Sequence, residues 1–371
     1  MSDPITPADI DLSADRLERA YRFLADCVET GRLPGAALLV ARGGLPLPPR
    51  TFGRQYLTPD SAPVEADTIF LTASVTKPVA VSAVMLLAER GKLLLQQPVC
   101  DIIPEFGNRG KEAITIHHLM THTSGLPDML PDNLELRQQL APLSEFVGRI
   151  LDLELDFAPG TNIQYQSCGI AILGEIVERL ESISLPQFLR REIFAPLGMV
   201  DTGLGAEGLP ADRIAQVNVG PDMQGTAWSW NEPYWWHFGA PWGGMFSTVG
   251  DMFRYCQTFL NGGRFGDQQI FSPATVAAMI RDQTTPMTTL SPAVAYGHAW
   301  GLGWRLQPAN GWSYFGDLIS PGAFGHGGAT GTVVWADPAR QMVCILFTTE
   351  PAANSEGLLG RCSNLVAAAA E

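Results

Sequence analysis

Ser74-Val75-Thr76-Lys77 stands at the head of an apolar segment, Leu71 to Val84. On a helix a spacing of three brings two side chains to one face, Cβ atoms about 5–6 Å apart, so a hydroxyl and an amine there share a hydrogen bond. A serine hydroxyl is a poor nucleophile until a neighbouring base removes its proton, and an amine serves as that base only when its pKa drops well below the ordinary ~10.4. Burial and the positive end of a helix dipole both push it down. Of the chain's 24 basic residues only three are lysines, Lys77, Lys92 and Lys111, so Lys77 is not surface filler. Arginine could not take its place, because a guanidinium does not give up its proton in a protein. The spacing therefore predicts a serine nucleophile with its own base, and the Ser74 N–H as one donor to an oxyanion.

Three further stretches carry side chains of chemical interest. Tyr165-Gln166-Ser167 precedes a helical pattern, and His326-Gly327-Gly328 is placed at the head of a strand running through Trp335. Residues 226–242 hold five of the nine tryptophans, Trp228, Trp230, Trp235, Trp236 and Trp242. Such a run suits an apolar substrate pocket, with Trp235 and Trp236 as candidate walls, and equally suits core packing or a dimer contact. His118 and His122 stand four apart as in a zinc helix, but Leu119 occupies the place of the glutamate a zinc protease needs. No metal is expected, and His122 is expected to bond backbone within its own His-Thr-Ser-Gly-Leu turn. The chain has no Gly-x-Ser-x-Gly elbow and no phosphate-cradling glycine loop.

Taken in order, the Ser-x-x-Lys, Tyr-x-Ser and His-x-Gly motifs resemble those of the serine β-lactamase-related superfamily, in its class C branch. That branch also holds family VIII carboxylesterases, DD-peptidases and D-aminopeptidases, and the esterases are closest in character. ITIHHLMTHTSGLPD at 114–128, FAPLGMVDTGL at 194–204 and GGMFSTVGDMFRYCQTFLNGG at 243–263 are similar to other stretches of the family, so the resemblance spans nearly the whole chain. It implies that Ser74 is acylated, that Lys77 and Tyr165 share the proton transfers, and that the Ala329 N–H is the second oxyanion donor. Ser167 stands where the family commonly has asparagine; its hydroxyl reaches less far toward substrate. His326 stands where β-lactamases carry a lysine that holds the substrate carboxylate. A histidine is largely neutral at pH 7, so a neutral substrate is expected, with Gly327 and Gly328 beside it.

The elements that must position these residues follow from periodicity. Leu17, Tyr21, Leu24 and Val28 predict an amphipathic helix from Ala14 to about Thr30, and Ala36 to Ala41 a buried strand. A helix is expected from Ser74 to Glu89, others over 170–180 and 185–193, and a mostly helical pattern from about 95 to 220. Two apolar runs flank Asp337-Pro338-Ala339-Arg340 as a hairpin, and a last helix covers roughly 355–369. The expected fold class is α/β (α+β), a β-lactamase/DD-peptidase-like fold. Residues 1–73 and 290–371 form an antiparallel sheet flanked by the terminal helices, and 74–289 form a mainly helical domain, with the active site between them.

Composition narrows the function. A formal charge of −14 and no basic stripe argue against nucleic acid and anionic membranes as partners. Six scattered cysteines without metal-binding spacing suit reduced thiols, and no export signal opens the chain, so a cytoplasmic location is expected. The partner is a small-molecule ester, with a homo-oligomer left open, and no cofactor is needed. The resulting expectation is a serine carboxylesterase acting on short-chain esters through an acyl-serine, with weak or no β-lactamase activity. The alternatives are a D-aminopeptidase, amidase or acyltransferase of the same fold, or a non-catalytic binding homologue.

Overall fold

The computed structural model describes residues 4–371 apart from 59, 293, 295–297, 308–312 and 314. Apolar and β-branched runs near the two ends build one antiparallel sheet from β1 (Gly35–Arg42), β2 (Leu45–Pro46), β3 (Arg50–Gly53), β4 (Arg305–Leu306), β5 (Phe324–Gly328), β6 (Thr332–Asp337) and β7 (Met342–Thr348). Across the sheet the order is β2, β1, β7, β6, β5, β4, with β3 also paired to β1. β1 joins β7 at the centre, Leu39 opposite Ile345 and Ala41 opposite Val343.

β1, β6 and β7 are apolar along nearly their whole length because both faces of the sheet are covered. Ala37, Leu39, Val334, Ile345 and Phe347 enter the core on one side. Leu38, Val40, Trp335, Cys344 and Leu346 enter a second core on the other. This is the two-residue alternation of a strand, hidden in sequence because neither face is polar.

Five helices frame the sheet and the site: α1 (Ala14–Glu29), α2 (Thr76–Glu89), α3 (Cys168–Glu181), α4 (Val249–Leu260) and α5 (Leu358–Ala367). α1 buries Leu17, Ala20, Tyr21, Leu24 and Cys27, the stripe its spacing predicts, against one face of the sheet beside α5. The Trp335 indole N–H, donated to Ser363 Oγ at 3.1 Å, ties β6 to α5. α4 covers the opposite face. α2 is buried on every side from Thr76 to Leu87, which is why it shows no polar stripe.

The stretch from 95 to 220 is less helical than its pattern suggests. Three 3₁₀ turns fill 99–113, loops fill 121–132 and 152–167, and Pro98, Pro104, Pro127, Pro131, Pro142 and Pro159 account for much of the interruption. A small sheet of Phe70–Leu71, Met245–Ser247 and Gly203–Leu204 is also present. His326 lies in the middle of β5, a strand of its own, and not at the head of β6. Phe-Gly-His-Gly-Gly lacks the β-branched residues that mark a strand, and its pairing with β6 and β4 makes it one. The last helix is shorter than expected, 358–367. All six cysteines are free thiols, five of them buried.

β5 passes close to the turn that carries Ser74. A Cβ on Gly328 would lie 2.2 Å from Thr332 Oγ1, 2.3 Å from Thr72 O and 3.3 Å from Ala73 Cβ. Gly328→Ala must part strand and turn, with a cost of about 1–3 kcal/mol for overpacking. A lowered denaturant midpoint together with slower labelling of Ser74 by a fluorophosphonate is the expected result.

Candidate active site

Ser74 sits in a 3₁₀ turn, Ala73–Val75, that runs directly into α2. The turn opens on Ala73 at φ +46°, a left-handed conformation uncommon for a residue with a Cβ. Four threonines hold it there. The Thr72 N–H and Oγ1 donate to Met245 O at 2.8 and 2.9 Å. Thr76 Oγ1 donates to Ala73 O at 2.6 Å and accepts the Met245 N–H at 3.1 Å. From the sheet side Thr330 Oγ1 donates to Leu71 O at 2.6 Å and Thr332 Oγ1 to Thr72 O at 2.8 Å. A strained residue persists when its surroundings over-determine it, and here both flanking layers do so.

One turn along, Lys77 is 1% exposed. Its Nζ lies 2.9 Å from Trp242 O and 3.1 Å from Ser74 Oγ, and 4.6 Å from the centre of the Tyr165 ring. Burial pulls the amine down to about 7, against the opposing pull of the Asp128 charge. A neutral amine has two N–H groups and one lone pair. The Trp242 carbonyl can only accept, so it takes one N–H; toward Ser74 Oγ the neutral amine can present either its second N–H or the lone pair that would accept the hydroxyl proton.

Tyr165 is wedged among aromatic rings, with centroids 4.9 Å from His122, 6.0 Å from Trp300 and 6.1 Å from His326. His122 does not bond within its own turn. Its Nδ1 accepts the Gln166 N–H at 3.2 Å, which fixes the backbone next to Tyr165. Its neutral ring therefore carries the proton on Nε2, and burial beside Lys77 holds its pKa well below the ordinary value. Burial first, and Lys77 second, push His326 down to about 3. With Nδ1 donating to Gly327 O at 2.8 Å, His326 Nε2 is an unprotonated acceptor that is buried without a partner.

These groups share the wall of one cavity of about 440 Å³. Ser74, Tyr165, Ser167, Trp235, His326, Gly327 and Ala329, all expected at the site, line it. Lys77 lies beneath, reaching the cavity through Ser74. Two further expected residues do not line it. Gly328 faces the nucleophile turn instead, where its missing side chain permits close approach. Trp236 points away, its ring against Phe246 at 6.3 Å, because neighbours on one short helix, Pro233–Phe238, face different directions. Trp230, Trp242 and Trp300 complete the aromatic wall with Trp235. The Ser167 hydroxyl donates to Asp128 Oδ1 at 2.8 Å.

Backbone donors fit an oxyanion. The first amide of the nucleophile turn to find a carbonyl is that of Val75, on Thr72 O at 3.2 Å, and the Ser74 N–H precedes it. Among the described residues no backbone carbonyl accepts the Ala329 N–H, which follows β5 on the same cavity wall. Among the described residues no cluster of His, Cys, Asp or Glu could hold a metal ion, and no helix is long and apolar enough to cross a membrane.

Sequence reasoning missed Asp128, Arg137, Trp300 and Arg305, all of which line the cavity. Asp128 ends a stretch that resembles a family hallmark and could have been weighed on that ground. Arg137 and Arg305 lie in segments with no motif, and only the fold brings them to Ser74.

The arrangement is that of a serine acyl-transfer site, and comparison with known proteins agrees. The chain belongs to the Beta-lactamase family, whose sequence model matches residues 20–366, and is a serine hydrolase of that family. A protein of Escherichia coli K12 named "Putative D-alanyl-D-alanine carboxypeptidase" is 28% identical over 382 residues, covering 93% of this chain and 85% of its own length. The fold matches EstCE1, a hydrolase with promiscuous acyltransferase activity, at TM-score 0.76 and 22% identity over 96% of this chain and 98% of that one. It also matches a penicillin-binding protein homologue from Caulobacter crescentus at TM-score 0.74 and 23% identity, over 96% and 98%. These structural likenesses are of fold alone.

With Lys77 as the base, its pKa of about 7 predicts the pH dependence of Ser74 acylation. The rate should rise with pH through a single step near 7, and His326, already neutral, should add no step above pH 5. Asp128→Asn removes a charge that favours protonated Lys77, so the step should move to lower pH in stopped-flow acylation. Between about 7 and 10.5 the unfolded chain binds the proton that folded Lys77 lacks, so this lysine makes stability rise with pH across that window. Lys77→Met should abolish acylation and weaken that slope in denaturant titrations.

Proposed function

We propose that the protein cleaves short-chain carboxylic esters through an acyl-Ser74 intermediate. The carrying observation is the buried Lys77 amine, pulled down to about 7, at 3.1 Å from Ser74 Oγ on a tryptophan-walled cavity. Lys77 takes the hydroxyl proton as Ser74 attacks the ester carbonyl. The Ser74 and Ala329 N–H groups receive the charge that develops on the carbonyl oxygen. Tyr165, held by His122, Trp300 and His326, works with Lys77 in returning the proton to the departing alcohol. Water then attacks the acyl group by the reverse relay, which releases the acid and restores Ser74.

Neutral His326 supports esters over β-lactams, because β5 itself then carries no cation at the position where β-lactamases have a lysine to hold the substrate carboxylate. An aromatic cavity of this size takes a short acyl chain and an aryl or alkyl leaving group. Hydrolysis of p-nitrophenyl butyrate is the direct test. Wild type should turn it over far faster than nitrocefin. Ser74→Ala should lose at least about 10³-fold in kcat, the scale seen when a nucleophile is removed. Intact mass should show one acyl or fluorophosphonate adduct on wild type and none on the variant. Full turnover by Ser74→Ala would overturn the reading, and nitrocefin as the preferred substrate would overturn the role given to His326.

A further inference from the structure

The cavity is not neutral. On a chain of formal charge −14, the cavity is lined by two arginines, Arg137 and Arg305, and one carboxylic side chain, Asp128, while burial pushes His326 down to about 3 and pulls Lys77 down to about 7. Arg137 extends from the short helix Asn133–Gln138 over the face of Trp235, guanidinium carbon 4.6 Å from the ring centre. Among the described residues no carboxylate pairs with it. Asp132, five residues earlier, pairs with Arg149 at 3.4 Å, and Glu135 accepts from Gln139 at 3.0 Å. Arg137 Nε is buried with no acceptor, and so is the indole Nε1 of the Trp235 beneath it.

Two buried donors on adjoining side chains, one of them cationic, are costly to leave unmatched. A cation–π contact holds the guanidinium in place but supplies no acceptor for its N–H groups. Both atoms are closed to solvent, so the group a ligand meets is the part of the Arg137 guanidinium that lines the cavity, and its parallel donors suit a carboxylate, which accepts them in fork geometry. Burial lowers the Arg137 pKa only to about 10, so the group is charged throughout the working range.

We propose that Arg137, stacked on Trp235, binds a carboxylate carried by the substrate away from its reacting ester, so that the preferred substrates are half-esters of dicarboxylic acids or esters of carboxylated alcohols. The proposal rests on the hydrolase reading and replaces the expectation of a wholly neutral substrate. β5 itself presents only the neutral His326, Arg305 lies on the adjoining β4 over the Trp300 ring, and Arg137 on Trp235 offers a second cationic group on the same cavity.

The test compares matched esters. p-Nitrophenyl hemiglutarate against p-nitrophenyl valerate reads a carboxylate on the acyl side. 4-Acetoxybenzoate against phenyl acetate reads one on the leaving group. For at least one pair wild type should favour the anionic ester in kcat/KM. Arg137→Gln should cut that anionic-to-neutral ratio by about tenfold or more, mostly through KM, on the scale of a charge-assisted hydrogen bond. Arg137→Lys should restore part of it. No anionic preference in wild type for either pair, or a ratio unchanged in Arg137→Gln, overturns the proposal. A role confined to propping Trp235 would lower both members of each pair alike, which is the same negative result.

Binding without turnover separates this from the hydrolase reading. Calorimetry of monomethyl glutarate with Ser74→Ala protein should give a Kd that weakens about tenfold or more in Ser74→Ala/Arg137→Gln. Arg137-dependent binding in a protein that hydrolyses no ester would sink the hydrolase reading and keep the anion site. Ester hydrolysis with no Arg137-dependent binding would do the reverse.

Discussion

The site depends on an ammonium group being denied both water and a counter-ion. Lys77 has two oxygen neighbours, the Trp242 carbonyl and the Ser74 hydroxyl, and its nearest charge influence is the more distant Asp128. A carboxylate in contact would stabilise the charged amine and leave it useless as a base. Burial alone would make it basic but unaimed. The Trp242 carbonyl supplies the aim, since by accepting an N–H it anchors the amine within 3.1 Å of Ser74 Oγ. The neutral histidines belong to the same constraint. A second cation beside Lys77 would lower its pKa further, and His122 and His326 avoid adding one only because they are buried as well.

Holding that geometry requires both ends of the chain. The nucleophile turn is a left-handed kink at Ala73, gripped on one side by Met245 of the small sheet and on the other by Thr330 and Thr332. Thr330 and Thr332 are fixed by β5, β6 and β7, and β7 in turn pairs along its full length with β1. The central β1–β7 ladder therefore sits two strands away from the oxyanion donors. It is covered on its outer face by α1 and α5, far from the cavity. Terminal helices that do not line the cavity thus back the sheet whose far strand carries His326 and leads into Ala329.

What was legible in the sequence divides along physical lines. Ser74 and Lys77 were readable because helix geometry converts a spacing of three into a contact. α1 was readable because one of its faces is wet, and its stripe shows. β1, β6 and β7 were readable as strands but not by face, since both faces are buried. β5 is not where its residues suggest, because it is made a strand by its pairing with β6 and β4 and not by β-forming residues of its own. Trp235 and Trp236 could not be told apart, as adjacent positions on a short helix differ by about 100° and only the tertiary packing says which one faces inward. Arg137 and Arg305 were invisible for a stronger reason. An arginine in sequence is by default a solvated charge, and nothing local announces that its partners have been removed.

Charge placement makes the last connection. An acidic chain repels anions in bulk, yet a half-buried guanidinium in a low-dielectric wall acts at short range, where the surrounding negative surface is screened over about 8–10 Å. Recognition and catalysis then need different states of similar groups within one cavity. Arg137 keeps its proton because a guanidinium holds it even when partly desolvated, whereas the more deeply buried Lys77 amine is pulled down to about 7. Exchanging the two residue types would leave a charge where the base is needed and a titrating group where the anchor is needed. The scarcity of lysine in this chain and its use at position 77 are consistent with that division of labour.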